Sequence, residues 1–146
     1  MTYKREAVIL LVEDDPGHAR LIEKNLMRYI TNEIIKVSDG QKALDFLFSE
    51  GAHAGSSRPS PLMVLLDLNI PVLDGFHVLK RMKEDSLTRK IPVIILTSSD
   101  DTREVSRCYE LGCNVYITKP VDYDKFSSAI QQLGLLMSVV MIPDGE

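Results

Sequence analysis

The chain has 146 residues, of which 45% are hydrophobic and 26% are charged, and its 17 basic and 21 acidic residues give a formal net charge of −4. This length and composition are typical of one globular domain with its own hydrophobic core, and they exclude disordered and collagen-like chains. A mildly acidic chain lacks the cationic field that binding to phosphate backbones requires, so we expect no nucleic acid partner.

In chain order, the first half alternates apolar runs with helical patterns. Residues 7–12 (AVILLV) form a continuous apolar run typical of a strand that is buried on both faces. The Asp-Pro pair at 15–16 predicts a helix N-terminus, because Asp caps helices and Pro suits their first position. Residues 33–37 predict a second strand, a second helix begins at 39–40, and 51–61 is a loop rich in Gly, Ser and Pro.

The second half repeats this alternation three times. Strands are predicted at 62–66 (LMVLL), 92–96 (PVIIL) and 114–118. A loop and turn at 69–75 precede the third helix, a narrow apolar stripe over 105–112 predicts the fourth, and Asp122 starts the last helix.

Five strands that alternate with five helices predict a parallel sheet covered by helices on both faces. We expect an α/β fold of the flavodoxin-like, doubly wound (βα)5 type, with a five-stranded parallel sheet of order 2-1-3-4-5. Ligands of such sheets bind at the carboxyl ends of the strands, so chemically active residues are expected there.

The two cysteines, Cys108 and Cys113, are too few for a disulfide scaffold and lack the spacing of a zinc site. We therefore expect buried thiols in a reducing compartment. The apolar stretch at 133–142 is too short for a membrane span, and the apolar run before Glu13 is too short for a signal peptide. These features predict a cytoplasmic protein with no membrane partner.

Acidic residues follow two strands that should be neighbours in the sheet. Glu13 and Asp14 follow the first strand and Asp67 follows the third, so three carboxylates are expected to converge. At about 4 Å each like-charge pair costs about 4 kcal/mol at an effective dielectric of about 20, so the cluster requires a cation. Oxygen ligands favour Mg²⁺, with Mn²⁺ as a substitute. Asp15 is assigned to helix capping instead, because Pro16 follows it.

The fourth and fifth strands also end in polar residues, Thr97 and Lys119. A carboxylate at the position of Asp67 can attack a phosphoryl group and form an acyl phosphate. Such a transfer needs little from the protein beyond positioning and compensation of charge on the equatorial oxygens. Thr97 could donate its hydroxyl to one of these oxygens and Lys119 could pair with another.

Four motifs in this order resemble those of one known family. They are LLVEDD at 10–15, LLDLNIPVLDG at 65–75, ILTSS at 95–99 and ITKP at 117–120. The chain resembles the receiver domains of bacterial two-component response regulators, of the chemotaxis-regulator type, over about residues 7–133. The resemblance implies a stand-alone receiver domain over 1–146, with an apolar C-terminal helix extension at about 134–142 and no output domain.

For the acidic cluster, the resemblance implies a metal site next to a phosphorylation site. Glu13 and Asp14 would be the acidic metal pair, and Asp67 would be both phospho-acceptor and metal ligand. The backbone carbonyl of Asn69 would be a further ligand. Asn69 also lies at a position where the family tunes the lifetime of the phosphate, and Gly75 would have a structural role.

For the other strand ends, the resemblance implies the parts of a switch. Thr97 would be the switch hydroxyl, Tyr116 the switch aromatic, and Lys119 the phosphate-pairing lysine, followed by a cis peptide bond to Pro120. Ser99 would be a second position that tunes phosphate lifetime. The sequence departs from the family at position 121, where Val replaces the frequent Phe and leaves the shape of the following loop open.

The implied function is that of a phosphoryl acceptor rather than a conventional enzyme. A sensor histidine kinase or phosphotransfer protein would donate its phosphoryl group to Asp67, and the domain itself would only catalyse its own phosphorylation and hydrolysis. Thr97 would then move toward the phosphate and Tyr116 would rotate inward. The face formed by the fourth helix, fifth strand and fifth helix would change and alter partner binding or dimerisation.

The apolar tail leaves two alternatives open. Leu135, Val139 and Ile142 are surplus to the stripe that can face the sheet, so the tail either folds over its own core or forms a homodimer or partner surface. Together with the loop at 51–61, it resembles stand-alone regulators associated with phytochrome-type kinases, some of which dimerise through this region.

Other functions compete less well. A phosphatase of the haloacid dehalogenase type needs a second Asp two residues after the nucleophile, where this chain has Asn69. An FMN-binding flavodoxin needs a phosphate-binding loop after the first strand, but this chain has three acids at 13–15, which would repel the phosphate. A receiver-like module that binds partners without phosphorylation is disfavoured because no site residue is missing. The histidines His18, His53 and His77 are assigned to surface or helix-cap positions, although His18 could influence kinase docking.

Overall fold

The computed structural model describes residues 6–138, and within them five strands form one parallel sheet. The strand order is β2-β1-β3-β4-β5, as the alternating pattern predicts. The strands are β1 (Val8–Val12), β2 (Ile34–Val37), β3 (Leu62–Leu66), β4 (Val93–Thr97) and β5 (Val115–Thr118). The predicted flavodoxin-like fold is therefore confirmed.

One α-helix follows each of the five strands, and each helix has an Asp at its N-cap. They are α1 (Pro16–Leu26), α2 (Gly40–Phe48), α3 (Gly75–Glu84), α4 (Thr102–Leu111) and α5 (Tyr123–Met137). Each cap carboxylate accepts hydrogen bonds from backbone N–H groups of the first turn, and the caps are Asp15, Asp39, Asp74, Asp101 and Asp122. Asp15 caps α1 as predicted. The loop at 51–61 contains a short 3-10 turn at Gly51–His53.

Two apolar layers hold the sheet, one on each face. β3 is buried along its whole length, which explains its unbroken apolar sequence. Alternate residues of β1 point to opposite layers, with Leu10 packed among α2, α3 and α4 and Leu11 packed against α1 and α5. The central strand ends are therefore held by packing on both sides.

A buried asparagine links α1 to α5 through hydrogen bonds. The side-chain amide of Asn25 donates to the carbonyl of Leu21 at 2.9 Å, and its Oδ1 accepts from Ser127 at 3.0 Å and Gln131 at 2.9 Å. Asn25 is only 2% exposed, so these bonds replace those that water would make. The two helices are thus held together by polar contacts as well as by apolar packing.

Both cysteines are buried free thiols, as predicted. Burial raises the pKa of Cys108 to about 12, and it raises the pKa of Cys113 as well. Both groups therefore remain protonated and unreactive at neutral pH. Within residues 6–138, no helix is both long enough and apolar enough to cross a bilayer.

One expectation about the backbone is wrong. The Lys119–Pro120 bond is trans, and the cis peptide bond found within residues 6–138 joins Ser60 to Pro61. The trans form of an X–Pro bond is intrinsically favoured by about 0.5–1 kcal/mol. Lys119 still reaches the pocket, because its backbone N–H is held by the carbonyl of Thr97 at 2.6 Å.

The start of α3 lies directly against the end of β3. A Cβ atom on Gly75 would lie 2.5 Å from the carbonyl oxygen of Asp67 and 2.6 Å from Cα of Leu68. The backbone N–H of Gly75 also donates to the carbonyl of Leu68 at 2.9 Å. Only glycine allows this approach, which fixes the backbone on which Asp67 stands.

We predict that Gly75→Ala lowers the free energy of unfolding by about 2–3 kcal/mol, because its new methyl group overlaps backbone atoms that cannot move aside. Gly134→Ala is the matched control. A Cβ at that helical position meets nothing closer than 3.4 Å, so stability should stay equal or rise by up to about 1 kcal/mol. Guanidinium unfolding measures both, and equal midpoints for the two variants would contradict the role of Gly75.

Candidate functional site

Four buried polar side chains meet at the carboxyl edge of the sheet. Glu13, Asp67, Thr97 and Lys119 follow or end β1, β3, β4 and β5, and none is more than 7% exposed. Val12 pairs with Leu66 in the β1–β3 register, which places Glu13 beside Asp67. The structure thus brings together the strand-end residues that the sequence singles out.

The ammonium of Lys119 lies at the centre of this group. Its Nζ donates to Oδ2 of Asp67 at 2.9 Å and to Oε1 of Glu13. Burial alone would lower the pKa of Lys119, but the hydrogen bonds and charges of the two carboxylates outweigh it and raise the pKa. Burial also raises the pKa of Glu13, against the opposing effect of Lys119.

The three acids form a cluster that suits a divalent cation. One oxygen each of Glu13, Asp14 and Asp67 can be chosen so that all lie within 4.8 Å of one another. Lys119 neutralises one of the three carboxylates, and the remaining charge equals that of one divalent ion. Asp14 is exposed whereas the other two are buried, so the cluster opens to solvent on the side of Asp14. Hard oxygen donors of this kind fit Mg²⁺ or Mn²⁺.

The loop after β3 orients the carboxylate of Asp67. The backbone N–H of Asn69 donates to Oδ1 of Asp67 at 3.0 Å, while Lys119 holds Oδ2. These two bonds hold the carboxylate from two directions at the end of the central strand. The same loop contains Val72, whose φ of 69° is a strained conformation for a β-branched residue.

Among the described residues 6–138, the hydroxyl of Thr97 has no hydrogen-bond partner. Its side chain is fully buried, and Oγ1 is the one buried side-chain polar atom within residues 6–138 without a hydrogen bond. Leaving such a group unpaired costs about 1–3 kcal/mol. The hydroxyl is thus available to donate to an oxygen atom that enters the pocket.

The loop after Thr97 is connected to both β5 and α4. The hydroxyl of half-buried Tyr116 donates to the carbonyl of Ser99 at 2.6 Å, and the hydroxyl of Ser99 donates to Glu104. The backbone N–H of Tyr116 donates to the hydroxyl of Tyr109 at 3.1 Å. Burial raises the pKa of Tyr116, so its hydroxyl remains a donor at neutral pH.

His18 lies exposed in the first turn of α1, as predicted, but the sequence did not predict its contact with Lys119. Its Nδ1 lies 3.3 Å from Nζ of Lys119, and its ring packs against Phe126 of α5 at 5.5 Å between centroids. The position of His18 four residues after Asp14 gave a weak signal, because the first turn of α1 starts beside the acids. Val121 lies outside the pocket and is fully exposed.

The other histidines lie elsewhere. His53 packs edge-on against Phe46 at 5.3 Å between centroids, and the backbone N–H of His77 donates to the α3 cap Asp74 at 2.9 Å. Neither of them contacts the acidic cluster.

The chain matches the family described as response regulator receiver domain over residues 9–131. It also matches the crystal structure of a response regulator receiver domain from Rhodospirillum rubrum, with a TM-score of 0.86 and 52% identity, covering 96% of this chain and 99% of the other. The family resemblance seen in the four motifs is therefore confirmed.

Two further response regulators, Rcp1 and RcpA, are similar as well. Response regulator Rcp1 of Synechocystis sp. is 42% identical over 113 residues, which is 77% of this chain and 76% of Rcp1. The crystal structure of its Mn²⁺-bound form matches with a TM-score of 0.86 and 35% identity, covering 94% of this chain and 99% of that chain. The structure of the phosphorylated cyanobacterial phytochrome response regulator RcpA matches at 0.80 and 35%, covering 88% and 91%.

We predict that Thr97→Val leaves the free energy of unfolding unchanged or raises it by about 1 kcal/mol, because valine has the same shape and removes an unpaired buried hydroxyl. Thr88→Val is the matched control. Thr88 is equally buried, but its hydroxyl donates to the carbonyl of Met82 at 2.7 Å, so its loss should cost about 1–3 kcal/mol. Urea unfolding compares the two, and the reverse order of stability would show that Thr97 has a partner.

Proposed function

The chain belongs to the response regulator receiver domain family, and from that premise we propose that Asp67 is the residue that accepts the phosphoryl group. The function of the chain is that of a receiver in a two-component signalling system. The observation that carries the assignment of Asp67 is the way its carboxylate is held, with Oδ1 on the Asn69 N–H and Oδ2 on Lys119. Glu13 and Asp14 complete the acidic cluster beside it.

Phosphoryl transfer to this carboxylate is a simple displacement. An oxygen of Asp67 forms a bond to phosphorus while the P–N bond of a phosphohistidine breaks, and the leaving nitrogen takes up a proton. Lys119 is placed to pair with one equatorial oxygen, and the free hydroxyl of Thr97 is placed to donate to another. The protein contributes position and charge and no further chemistry.

We propose Mg²⁺ as the ion of the acidic cluster. Glu13, Asp14 and Asp67 would hold it, with the backbone carbonyl of Asn69 as a further ligand. When bound, it supplies positive charge next to the transferring phosphoryl oxygens. The similarity to the Mn²⁺-bound form of Rcp1 supports a divalent ion, and the oxygen donors favour Mg²⁺ as the physiological one.

The switch would follow from the contacts of the β4–α4 loop. A phosphoryl group that draws the Thr97 hydroxyl toward it also moves Ser99 two residues on. The carbonyl of Ser99 holds the hydroxyl of Tyr116, and its own hydroxyl bonds Glu104 on α4. Displacement of this loop would therefore change β5 and α4 together, and Ser99 and Asn69 would influence how long the phosphoryl group persists.

A histidine kinase or phosphotransfer protein is the proposed donor, and a phytochrome-type kinase is the specific candidate. Support comes from the similarity to RcpA, a phosphorylated phytochrome response regulator. Two buried free thiols fit a reducing cytoplasm as the place where both proteins meet.

We further propose that the chain forms a homodimer through α4, β5, α5 and the apolar tail. Leu135 and Leu136 are 57% and 56% exposed on α5, and Tyr109 and Val115 are exposed on α4 and β5. Burial of such apolar side chains against a partner removes them from water and so favours association. Val139 and Ile142, assigned to the same tail, lie outside the described residues.

We predict that phosphoramidate and Mg²⁺ place one phosphoryl group on the wild-type protein and none on Asp67→Asn, because the amide is a poor nucleophile. Asp85→Asn, at the far end of α3, is the matched control and should react like wild type. Intact-mass measurement with and without EDTA detects the product. Equal phosphorylation of Asp67→Asn would refute the site, and an unreactive wild-type protein would favour a module that binds partners without phosphorylation.

For the dimer, we expect Leu135→Glu to shift the association equilibrium toward monomer, because the new charge would be buried at the interface. Leu87→Glu, at a 63% exposed position outside the proposed surface, serves as the control and should not change it. Sedimentation velocity at several concentrations, with and without beryllium fluoride, measures the equilibrium. A wild-type protein that stays monomeric throughout would contradict the dimer.

A further inference from the structure

Lys119 has three hydrogen-bond acceptors, and one of them is not an acid. A lysine ammonium carries three N–H donors. Two are taken by Glu13 and Asp67, and Nδ1 of His18 lies within hydrogen-bond distance, 3.3 Å from Nζ. Lys119 is only 5% exposed, so few of these donors can be satisfied by water instead.

The ring of His18 is held from two helices. Its backbone N–H donates to the cap Asp15 at 3.1 Å, which fixes the first turn of α1. Its ring lies against Phe126 of α5, which is 4% exposed, with 5.5 Å between centroids and a tilt of 35°. The hydrogen bond from the Ser127 hydroxyl to Oδ1 of Asn25 joins these two helices. Nδ1 is therefore fixed relative to Lys119.

A hydrogen bond between Lys119 and His18 requires one tautomer of the imidazole. An ammonium can only donate, so Nδ1 must accept and the ring proton must be on Nε2. The His18 side chain is 47% exposed, which leaves room for solvent on its open side. In that tautomer, His18 offers Lys119 a nitrogen acceptor beside the two carboxylates.

The proposed reaction draws the carboxylate partners away from Lys119 but leaves its nitrogen partner in place. Glu13 and Asp67 are also the proposed ligands of Mg²⁺, which competes with Lys119 for their oxygens. Mg²⁺ prefers oxygen donors, so it does not compete for Nδ1 of His18. His18 is then the partner that stays with the ammonium while the metal and the phosphoryl group take up the carboxylates.

We propose that His18 is a positioning residue for phosphoryl transfer, and that its Nδ1 holds the Lys119 ammonium over Asp67. The inference rests on the proposed function of Asp67. His18 does not touch the phosphoryl group, and it acts through the direction in which Lys119 presents its remaining N–H groups. Loss of His18 should therefore lower the maximal rate of phosphorylation and leave the affinities for metal and phosphodonor unchanged.

Two substitutions separate the acceptor from the ring. His18→Phe keeps a ring against Phe126 and removes Nδ1. His18→Asn removes the ring but keeps an acceptor, because Oδ1 of asparagine is bonded to Cγ just as Nδ1 of histidine is. If the acceptor matters, the asparagine variant should recover what the phenylalanine variant loses.

The experiment follows phosphorylation of Asp67 by phosphoramidate at saturating Mg²⁺, over a range of phosphoramidate concentrations. We expect His18→Phe to lower the maximal rate roughly tenfold or more, the effect of one hydrogen bond to a charged group. The half-saturating concentration of phosphoramidate and the apparent Mg²⁺ affinity should stay unchanged. His18→Asn should react within about twofold of wild type.

A maximal rate of His18→Phe equal to wild type would overturn the inference, and so would an asparagine variant as slow as the phenylalanine variant. A second measurement needs no phosphorylation. Solvent exchange of the Lys119 ammonium protons, followed by ¹⁵N NMR, should accelerate in His18→Phe and stay slow in His18→Asn. A wild-type protein that takes no phosphoryl group refutes the function of Asp67 and the positioning role with it. Unchanged ammonium exchange in His18→Phe refutes the contact with Lys119 alone.

Discussion

The site depends on one buried cation, the ammonium of Lys119 between the carboxylates of Glu13 and Asp67. It reaches from the end of β5 to the ends of β1 and β3, so it links three strands at their carboxyl edge. Each charge is tolerated in the interior only because the others are present, and removal of one partner from such a group costs about 3–5 kcal/mol. The same mutual dependence makes the group responsive, because a new anion or cation in the pocket must change the pairings between Lys119 and the two carboxylates.

The fold delivers these charges to one place through features that are local in sequence. Apolar strands buried on both faces fix the sheet, and each strand end continues into a short loop and a helix capped by Asp. The helices begin at the carboxyl edge of the sheet, so their positive ends face the region where acids gather. Gly75 lets α3 start directly against the backbone of Asp67. Apolar packing, helix capping and charge therefore all act to form the site at the same edge of the sheet.

The sequence was sufficient for whatever depends on local pattern, and insufficient where contacts span the chain. The strand order and the capping by Asp15 follow from apolar runs and from one Asp-Pro pair. The role of His18 depends on a ring contact between α1 and α5 and on a lysine 101 positions away, which no local pattern encodes. The trans bond before Pro120 was missed because the expectation came from family resemblance and not from these residues.

The packing of α1 on α5 has a consequence for the newly made protein. Residues 13 and 119 meet in the pocket, and α5 beyond them supports the ring of His18. During synthesis, at about 5–20 residues per second, the acids at 13, 14 and 67 leave the ribosome before Lys119 and α5. A nascent chain therefore carries these acids without Lys119, which pairs with Glu13 and Asp67, until β5 and α5 have left the ribosome and docked. The order of translation delays signalling competence until the whole domain is present.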